Sequence, residues 1–125
     1  MAKILFVDDE RDILSALQRA VEIYGHQALL TTSGEQAVRI AREEMPDLIF
    51  IDMRLFDMSG TEVVSQLQSD DCTTSIPVII LSAGPEIDAA EKAYATGALT
   101  YLQKPIRLQK LIEVINQYVS TGTNT

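Results

Sequence analysis

Leu48-Ile49-Phe50-Ile51-Asp52 is a run of four apolar residues followed by a carboxylate. Runs as apolar as this are typical of strands buried on both faces, as in a parallel sheet covered by helices. Three further apolar runs also lead to a chemically active residue: Ile4–Val7 to Asp8-Asp9, Val78–Leu81 to Ser82, and the shorter Tyr101-Leu102 to Lys104-Pro105.

Helical patterns separate the apolar runs, so that strand-like and helix-like periods alternate five times. Capping boxes at Ser33–Gln36 and Ser59–Glu62 predict two helix starts, and an alanine-rich helix is predicted to begin near Gly84. The segment Ala28–Leu30 supplies the remaining strand. Before it, helical spacing and a left-handed cap at Gly25 predict a helix that uses Ile13, Leu17, Ala20, Val21 and Tyr24. The pattern predicts an α/β fold: a doubly wound, five-stranded parallel sheet of order 2-1-3-4-5.

The carboxyl ends of parallel strands meet at one edge of a sheet, and ligands of such sheets bind there. Three carboxylates, a hydroxyl and an ammonium would therefore share one crevice: Asp8, Asp9, Asp52, Ser82 and Lys104. Two carboxylates about 5 Å apart repel by roughly 3 kcal/mol at an effective dielectric of 20, so the group needs a cation. Hard oxygen ligands suit Mg²⁺, which often pairs with phosphate.

Length and composition narrow the class of protein. The chain has 125 residues and 46% hydrophobic residues, enough for one domain, which we expect to span residues 1–120 before a disordered polar tail at 121–125. A net charge of −8 argues against direct nucleic-acid binding. The single cysteine, Cys72, excludes an internal disulfide and favours the cytoplasm. No run is long and apolar enough to predict a membrane span or a signal peptide.

Five segments in order give the chain a strong resemblance to a known family. They are Val7–Glu10, Asp52–Leu55 with Met58–Gly60, Leu81–Ala83, Gly97-Ala98 and Tyr101–Pro105. The chain resembles a receiver domain of the two-component response regulators, of the chemotaxis-regulator kind, over residues 2 to 119. This resemblance implies a flavodoxin-like fold and a cytoplasmic signalling module that is not a turnover enzyme.

The resemblance implies a role for each residue of the crevice. Asp52 would be the phosphoacceptor, with Ser82, Ala83 and Lys104 binding the phosphoryl group. Mg²⁺ would bind Asp9 and Asp52 directly, Asp8 largely through water, and the carbonyl of Arg54. Ser82 and Tyr101 would form the switch that changes a surface containing Tyr94 and Lys110. The family pattern also implies a cis bond between Lys104 and Pro105.

The resemblance also implies the partners. A sensor histidine kinase or a histidine phosphotransfer protein would donate the phosphoryl group. A downstream protein, or an output domain of a longer regulator, would receive the signal, with a phosphorylation-dependent homodimer as a further possibility. The family usually has proline where Phe56 stands, so this ring either docks a partner or packs against its own domain.

Plainer interpretations of the same residues stay open at this stage. Asp8 and Asp9 would serve as helix N-caps, Asp52 as a loop acid, Ser82 as a strand-end hydroxyl and Lys104 as a surface lysine. His26 is expected to be a solvated turn residue, Cys72 incidental, and Met53 and Met58 loop packing. A Mg²⁺-dependent phosphohydrolase with Asp8 as nucleophile is a second function class, although its Asp-x-Asp pair is absent. A third is an interaction scaffold that is never phosphorylated.

Overall fold

A computed structural model of the chain describes residues 2–82, 97–98 and 100–119. Strands and helices alternate through most of these residues. The strands are β1 (Lys3–Val7), β2 (Gln27–Thr31), β3 (Leu48–Asp52), β4 (Val78–Ser82) and β5 (Thr100–Gln103). The helices that fall within the described residues are α1 (Arg11–Ile23), α2 (Gly34–Glu44), α3 (Gly60–Gln68) and α4 (Leu108–Tyr118).

The five strands form one parallel sheet with the order β2-β1-β3-β4-β5, which confirms the predicted order 2-1-3-4-5. The register sets the carboxyl edge. Val7 pairs with Ile51, Asp52 with Leu81, and Ser82 with Gln103. The residues at or just beyond these strand ends therefore meet at one edge, as the apolar runs predicted.

Two hydrophobic cores lie on opposite faces of the sheet because successive strand residues point to opposite sides. On one face α1 and α4 cover Phe6 and Phe50, whose rings stack with centroids 5.3 Å apart. On the other face α2 and α3 cover residues such as Leu5 and Ile51. All five residues of β3 are buried, so the apolar run that begins this strand is explained by helices on both sides.

The local signals for helix ends are largely confirmed. The hydroxyls of Ser33 and Ser59 accept hydrogen bonds from the backbone N–H groups of Gln36 and Glu62, each at 3.2 Å. Gly25 follows α1 with φ +87°, a left-handed conformation that glycine adopts without steric cost.

Two expectations for the first helix region are wrong. Leu14, which the predicted face omitted, is buried, whereas Tyr24 is 54% exposed because it lies beyond the last turn of α1. His26 is not simply solvated: its Nδ1 accepts a hydrogen bond from the Ala2 N–H at 3.0 Å, and burial lowers its pKa.

Several predictions fall on residues outside those that the structure describes. These are the alanine-rich helix after β4, the disordered tail and the single residues Ala83 and Tyr94. Within the described ranges, none of the helices is both long and apolar enough to cross a membrane.

Candidate functional site

Lys104 joins two of the predicted acids at the carboxyl edge of the sheet. Its Nζ lies 2.8 Å from Oδ2 of Asp8 and 3.3 Å from Oδ1 of Asp52. Asp8 is 0% exposed and Asp52 is 8% exposed. A surface lysine and a plain loop acid are therefore wrong descriptions of Lys104 and Asp52. The bond between Lys104 and Pro105 is cis, as the family pattern implied.

Backbone hydrogen bonds fix the position of each strand end. The N–H of Lys104 donates to the Ser82 carbonyl at 2.7 Å, and the N–H of Met53 donates to the Leu81 carbonyl at 2.9 Å. Asp8 donates its own N–H to Thr31 at 3.2 Å and accepts the Glu10 N–H on Oδ1 at 2.9 Å. The N-cap residue of α1 is Glu10, so neither Asp8 nor Asp9 serves as the N-cap.

The charges in this crevice are unevenly balanced. Burial raises the pKa of Asp52, and repulsion from Asp8 and Asp9 adds to the effect, while Lys104 only partly opposes it. Burial disfavours the ammonium of Lys104, but its hydrogen bond to Asp8 and the attraction of Asp52 outweigh that cost and raise its pKa. The pocket is therefore short of positive charge with Lys104 alone.

The donor set fits a hard divalent cation. Asp8, Asp9 and Glu10 offer carboxylate oxygens that all lie within 4.8 Å of one another, and burial together with repulsion from Asp8 and Asp9 raises the pKa of Asp52. Oxygen-only donors of this kind suit Mg²⁺. Sequence reasoning did not include Glu10, although its place beside the acidic pair was the available signal.

The loop between β3 and α3 is tied to the start of α2. Asp57 accepts hydrogen bonds from the N–H groups of Gly34 and Glu35 and from the Ser33 hydroxyl, at 2.9, 3.0 and 3.0 Å. Sequence reasoning missed this contact because an aspartate in a polar loop is ordinary and its partners lie more than twenty residues away.

The remaining predicted residues take definite positions. Ser82 is 5% exposed at the end of β4, and Tyr101 is half-buried on β5. Phe56 is 91% exposed, so packing of its ring onto the domain is wrong. Met53 and Met58 pack against the core that α2 and α3 cover, as expected for loop packing, and Cys72 is exposed.

The fold is an open parallel sheet with an acidic crevice at its switch point, where α/β proteins of this class bind their ligands. The carboxylates and the half-buried Lys104 in this crevice suit a cation and a phosphoryl group. The family model for the response regulator receiver domain matches residues 4–116, and the chain belongs to that family.

Similar proteins agree with this assignment. The chain is 32% identical to sporulation initiation phosphotransferase F of Bacillus subtilis, over 98% of this chain and 97% of that protein. It is 34% identical to the protein PilH of Pseudomonas aeruginosa, over 93% of this chain and 96% of that one. The crystal structure of a response regulator receiver domain protein from Clostridium thermocellum matches with a TM-score of 0.88 and 32% identity, covering 98% of both chains.

Membership of the family establishes the general function. Receiver domains are signalling modules of two-component systems that accept a phosphoryl group on an aspartate. They interact with histidine kinases or phosphotransfer proteins and bind Mg²⁺ at an acidic pocket. The chain is a receiver domain of this kind, with the flavodoxin-like fold that the sequence predicted.

Proposed function

We propose that Asp52 is the phosphoacceptor of this receiver domain. One observation carries the assignment: the buried Asp52 carboxylate ends the central strand β3 and lies 3.3 Å from the Lys104 ammonium, which also contacts Asp8. Both carboxylate oxygens of Asp8 are engaged, Oδ2 by Lys104 and Oδ1 by the Glu10 N–H, whereas Asp52 contacts Lys104 through Oδ1 at the longer distance of 3.3 Å. Asp52 is therefore the carboxylate best available for chemistry.

The reaction is a transfer between two residues. An oxygen of Asp52 attacks the phosphorus of a phosphohistidine, the new O–P bond forms as the N–P bond breaks, and the electron pair leaves on the imidazole nitrogen. Phosphoryl transfer depends mainly on positioning and charge stabilisation. Lys104 supplies one positive charge, and Ser82 together with Ala83, which lies outside the described residues, would bind phosphoryl oxygens.

Mg²⁺ would supply the rest of the positive charge when bound. Asp9, Asp52 and the carbonyl of Arg54 would hold it directly, and Asp8 largely through water. Glu10 lies close enough to Asp8 and Asp9 to add a further carboxylate. Because few of these ligands come from the protein, we expect weak binding in the absence of phosphate.

Signalling would follow from a change at the end of β4. A hydrogen bond from Ser82 to the phosphoryl group would draw this strand end inward, and Tyr101 on the neighbouring β5 would turn into the space. Ser82→Ala should then still permit phosphorylation of Asp52 but uncouple it from target binding or dimerisation. Equal target binding by the two phosphorylated proteins would contradict this switch.

The partners and the setting follow from the same proposal. A histidine kinase or phosphotransfer protein in the cytoplasm donates the phosphoryl group, and a downstream protein, an output domain or a second copy of the chain reads the result. Residues 1–120 form the receiver, followed by the polar tail 121–125. Phe56, which is exposed in the loop that follows Asp52, is the candidate contact for the donor.

Incubation with acetyl phosphate and Mg²⁺ tests the proposed function against the two other classes. A receiver should take up one phosphoryl group per chain and then release it slowly. Continuous release of many phosphates per chain would indicate the phosphohydrolase. No uptake with or without Mg²⁺ would indicate the unphosphorylated scaffold.

A further inference from the structure

We propose that Asp57 is a positioning residue for phosphoryl transfer: its carboxylate fastens the loop that follows Asp52 to the first turn of α2. The inference rests on the proposed function, since it assigns Asp57 to the same site. We call the three hydrogen bonds that Asp57 accepts from Ser33, Gly34 and Glu35 the Asp57 tether.

The tether combines favourable charge and geometry. One carboxylate oxygen accepts the Gly34 N–H, and the other accepts both the Glu35 N–H and the Ser33 hydroxyl. These groups lie at a helix N-terminus, where unpaired N–H groups and the helix dipole favour a negative charge. The two backbone hydrogen bonds lower the pKa of Asp57 to about 2, so the charged form that makes the tether is present at neutral pH.

The helix does not need Asp57 as its own cap. Ser33 already accepts the Gln36 N–H at 3.2 Å, the ordinary arrangement for an N-cap serine. Asp57 comes from a different part of the chain and joins two elements that otherwise meet through side-chain packing. At Gly34 that packing is so close that an added Cβ would overlap the Met58 side chain. The tether therefore sets where the loop lies relative to α2.

The loop that is fastened in this way leads back to the phosphoacceptor. Arg54 pairs with Ser59 in an antiparallel bridge, and the Leu55 N–H donates to the Met58 carbonyl at 3.2 Å. Asp57 lies inside this closed turn, three residues after Arg54, whose carbonyl we assign to Mg²⁺. The position of a backbone carbonyl ligand depends on the conformation of the surrounding backbone. By fixing that conformation, the tether affects the metal site without contacting it.

Two large side chains of the turn do not fasten it to the domain. Arg54 is exposed and Phe56 is 91% exposed, so neither packs the turn against the domain. Phe56 also leaves its backbone φ free, which a proline would not. The Asp57 carboxylate thus provides a polar restraint on the outer half of the turn, while Leu55 and Met58 provide apolar ones.

Three variants separate positioning from simple charge. Asp57→Ala removes the tether, Asp57→Asn removes the charge but keeps one acceptor oxygen at the same reach, and Asp71→Ala removes an exposed charge in the loop after α3. The readouts are the Mg²⁺ dissociation constant, the initial rate of labelling by acetyl phosphate, and hydrogen exchange at the Leu55 amide in Mg²⁺-free protein. The last readout needs neither metal nor phosphate.

Positioning predicts an ordered series. Asp57→Ala should weaken Mg²⁺ binding, slow labelling and speed Leu55 exchange, each by about five- to tenfold, the scale of one lost hydrogen bond. Asp57→Asn should fall between Asp57→Ala and wild type, and Asp71→Ala should match wild type. If Asp57→Asn and Asp57→Ala give the same values, the loss of charge alone explains the effect and the proposal is overturned. Wild-type hydrogen exchange at Leu55 in Asp57→Ala would also overturn it.

Two further outcomes are decisive. If Asp57→Ala does not fold, Asp57→Asn decides the matter, and wild-type values for its Mg²⁺ binding and Leu55 exchange would overturn the proposal. If wild-type protein takes up no phosphoryl group, the proposed function fails. Mg²⁺ affinity and Leu55 exchange then still decide whether Asp57 positions the loop.

Discussion

The ammonium of Lys104 lies 2.8 Å from Oδ2 of Asp8, in an ion pair whose side chains are 15% and 1% exposed. Asp8 also contributes to the acidic group with Asp9 and Glu10, so this one lysine neutralises part of a pocket that a cation must also enter. Lys104 and the metal are therefore expected to neutralise the same carboxylates together.

The first prediction follows from that sharing. Lys104→Gln should destabilise the Mg²⁺-free protein by about 3 kcal/mol, because it leaves Asp8 buried without its counter-charge. Mg²⁺ should restore part of the loss, and the variant should gain more stability from Mg²⁺ than wild type does. Urea unfolding with and without Mg²⁺ measures both effects.

Lys3→Gln is the matched control for that experiment. Lys3 pairs with Glu44 at 3.3 Å, but the two side chains are 33% and 47% exposed. The loss should stay below about 1 kcal/mol and should not respond to Mg²⁺. If Mg²⁺ stabilises Lys104→Gln no more than it stabilises wild type, Lys104 and the metal do not neutralise the same carboxylates.

The second prediction concerns the acidic pair. Asp9→Ala should raise the Mg²⁺ dissociation constant and slow labelling by about tenfold or more, because Mg²⁺ has few protein ligands to lose. Asp12→Ala removes an equal charge from an exposed position in the first turn of α1 and should change either value by no more than about twofold. Calorimetric titration measures the Mg²⁺ affinity of each protein. Wild-type affinity in Asp9→Ala would indicate that the acidic pair has a structural role only.

The third prediction is a pH dependence of the Asp57 tether. The pKa of Asp57 is lowered to about 2 in the folded protein, below the value of about 4 expected when unfolded. Its stabilising effect is therefore complete above the unfolded value and is lost as the pH falls through the folded one. The stability difference between wild type and Asp57→Asn should be constant above about pH 5 and shrink between about pH 4 and 2. A difference that stays constant down to pH 3 in urea melts would count against the tether.

The fourth prediction concerns Phe56 as a contact for the phosphodonor. Phe56→Ala should slow phosphoryl transfer from the organism's histidine phosphotransfer protein by about tenfold, as expected for an aromatic anchor, and leave labelling by acetyl phosphate unchanged. Stability should stay within about 0.5 kcal/mol because the ring is exposed. Ile23→Ala, which truncates another exposed apolar residue at the far end of α1, is the control. Equal transfer rates in wild type and Phe56→Ala would rule out docking through this ring.

Much of the fold was predictable because its signals are local. The apolar residues of β3 and β4 are buried on both faces, and that burial is what an unbroken apolar run indicates. The hydroxyls of Ser33 and Ser59 cap their helices because the capping pattern is complete within four residues. Parallel pairing then brings Asp8, Asp52 and Lys104 to one edge.

The features that were missed depend on contacts between distant segments. The Asp57 tether joins residues more than twenty positions apart, and His26 bonds the Ala2 N–H across a similar separation. The pairing of Lys104 with Asp8 as well as Asp52 depends on side-chain reach within the crevice. No periodicity or short motif encodes such contacts.

The residue that carries the phosphoryl group can be identified in wild type and in a variant without the Asp52 carboxylate. Wild type and Asp52→Asn are treated with acetyl phosphate and Mg²⁺, and the modified residue is located by mass spectrometry after the acyl phosphate is reduced. Asp52→Asn should remain folded, with a melting temperature at or above that of wild type, because it removes a carboxylate whose pKa is raised by burial. We predict one phosphoryl group at residue 52 in wild type and none in Asp52→Asn; labelling of the variant at the wild-type level would contradict the account.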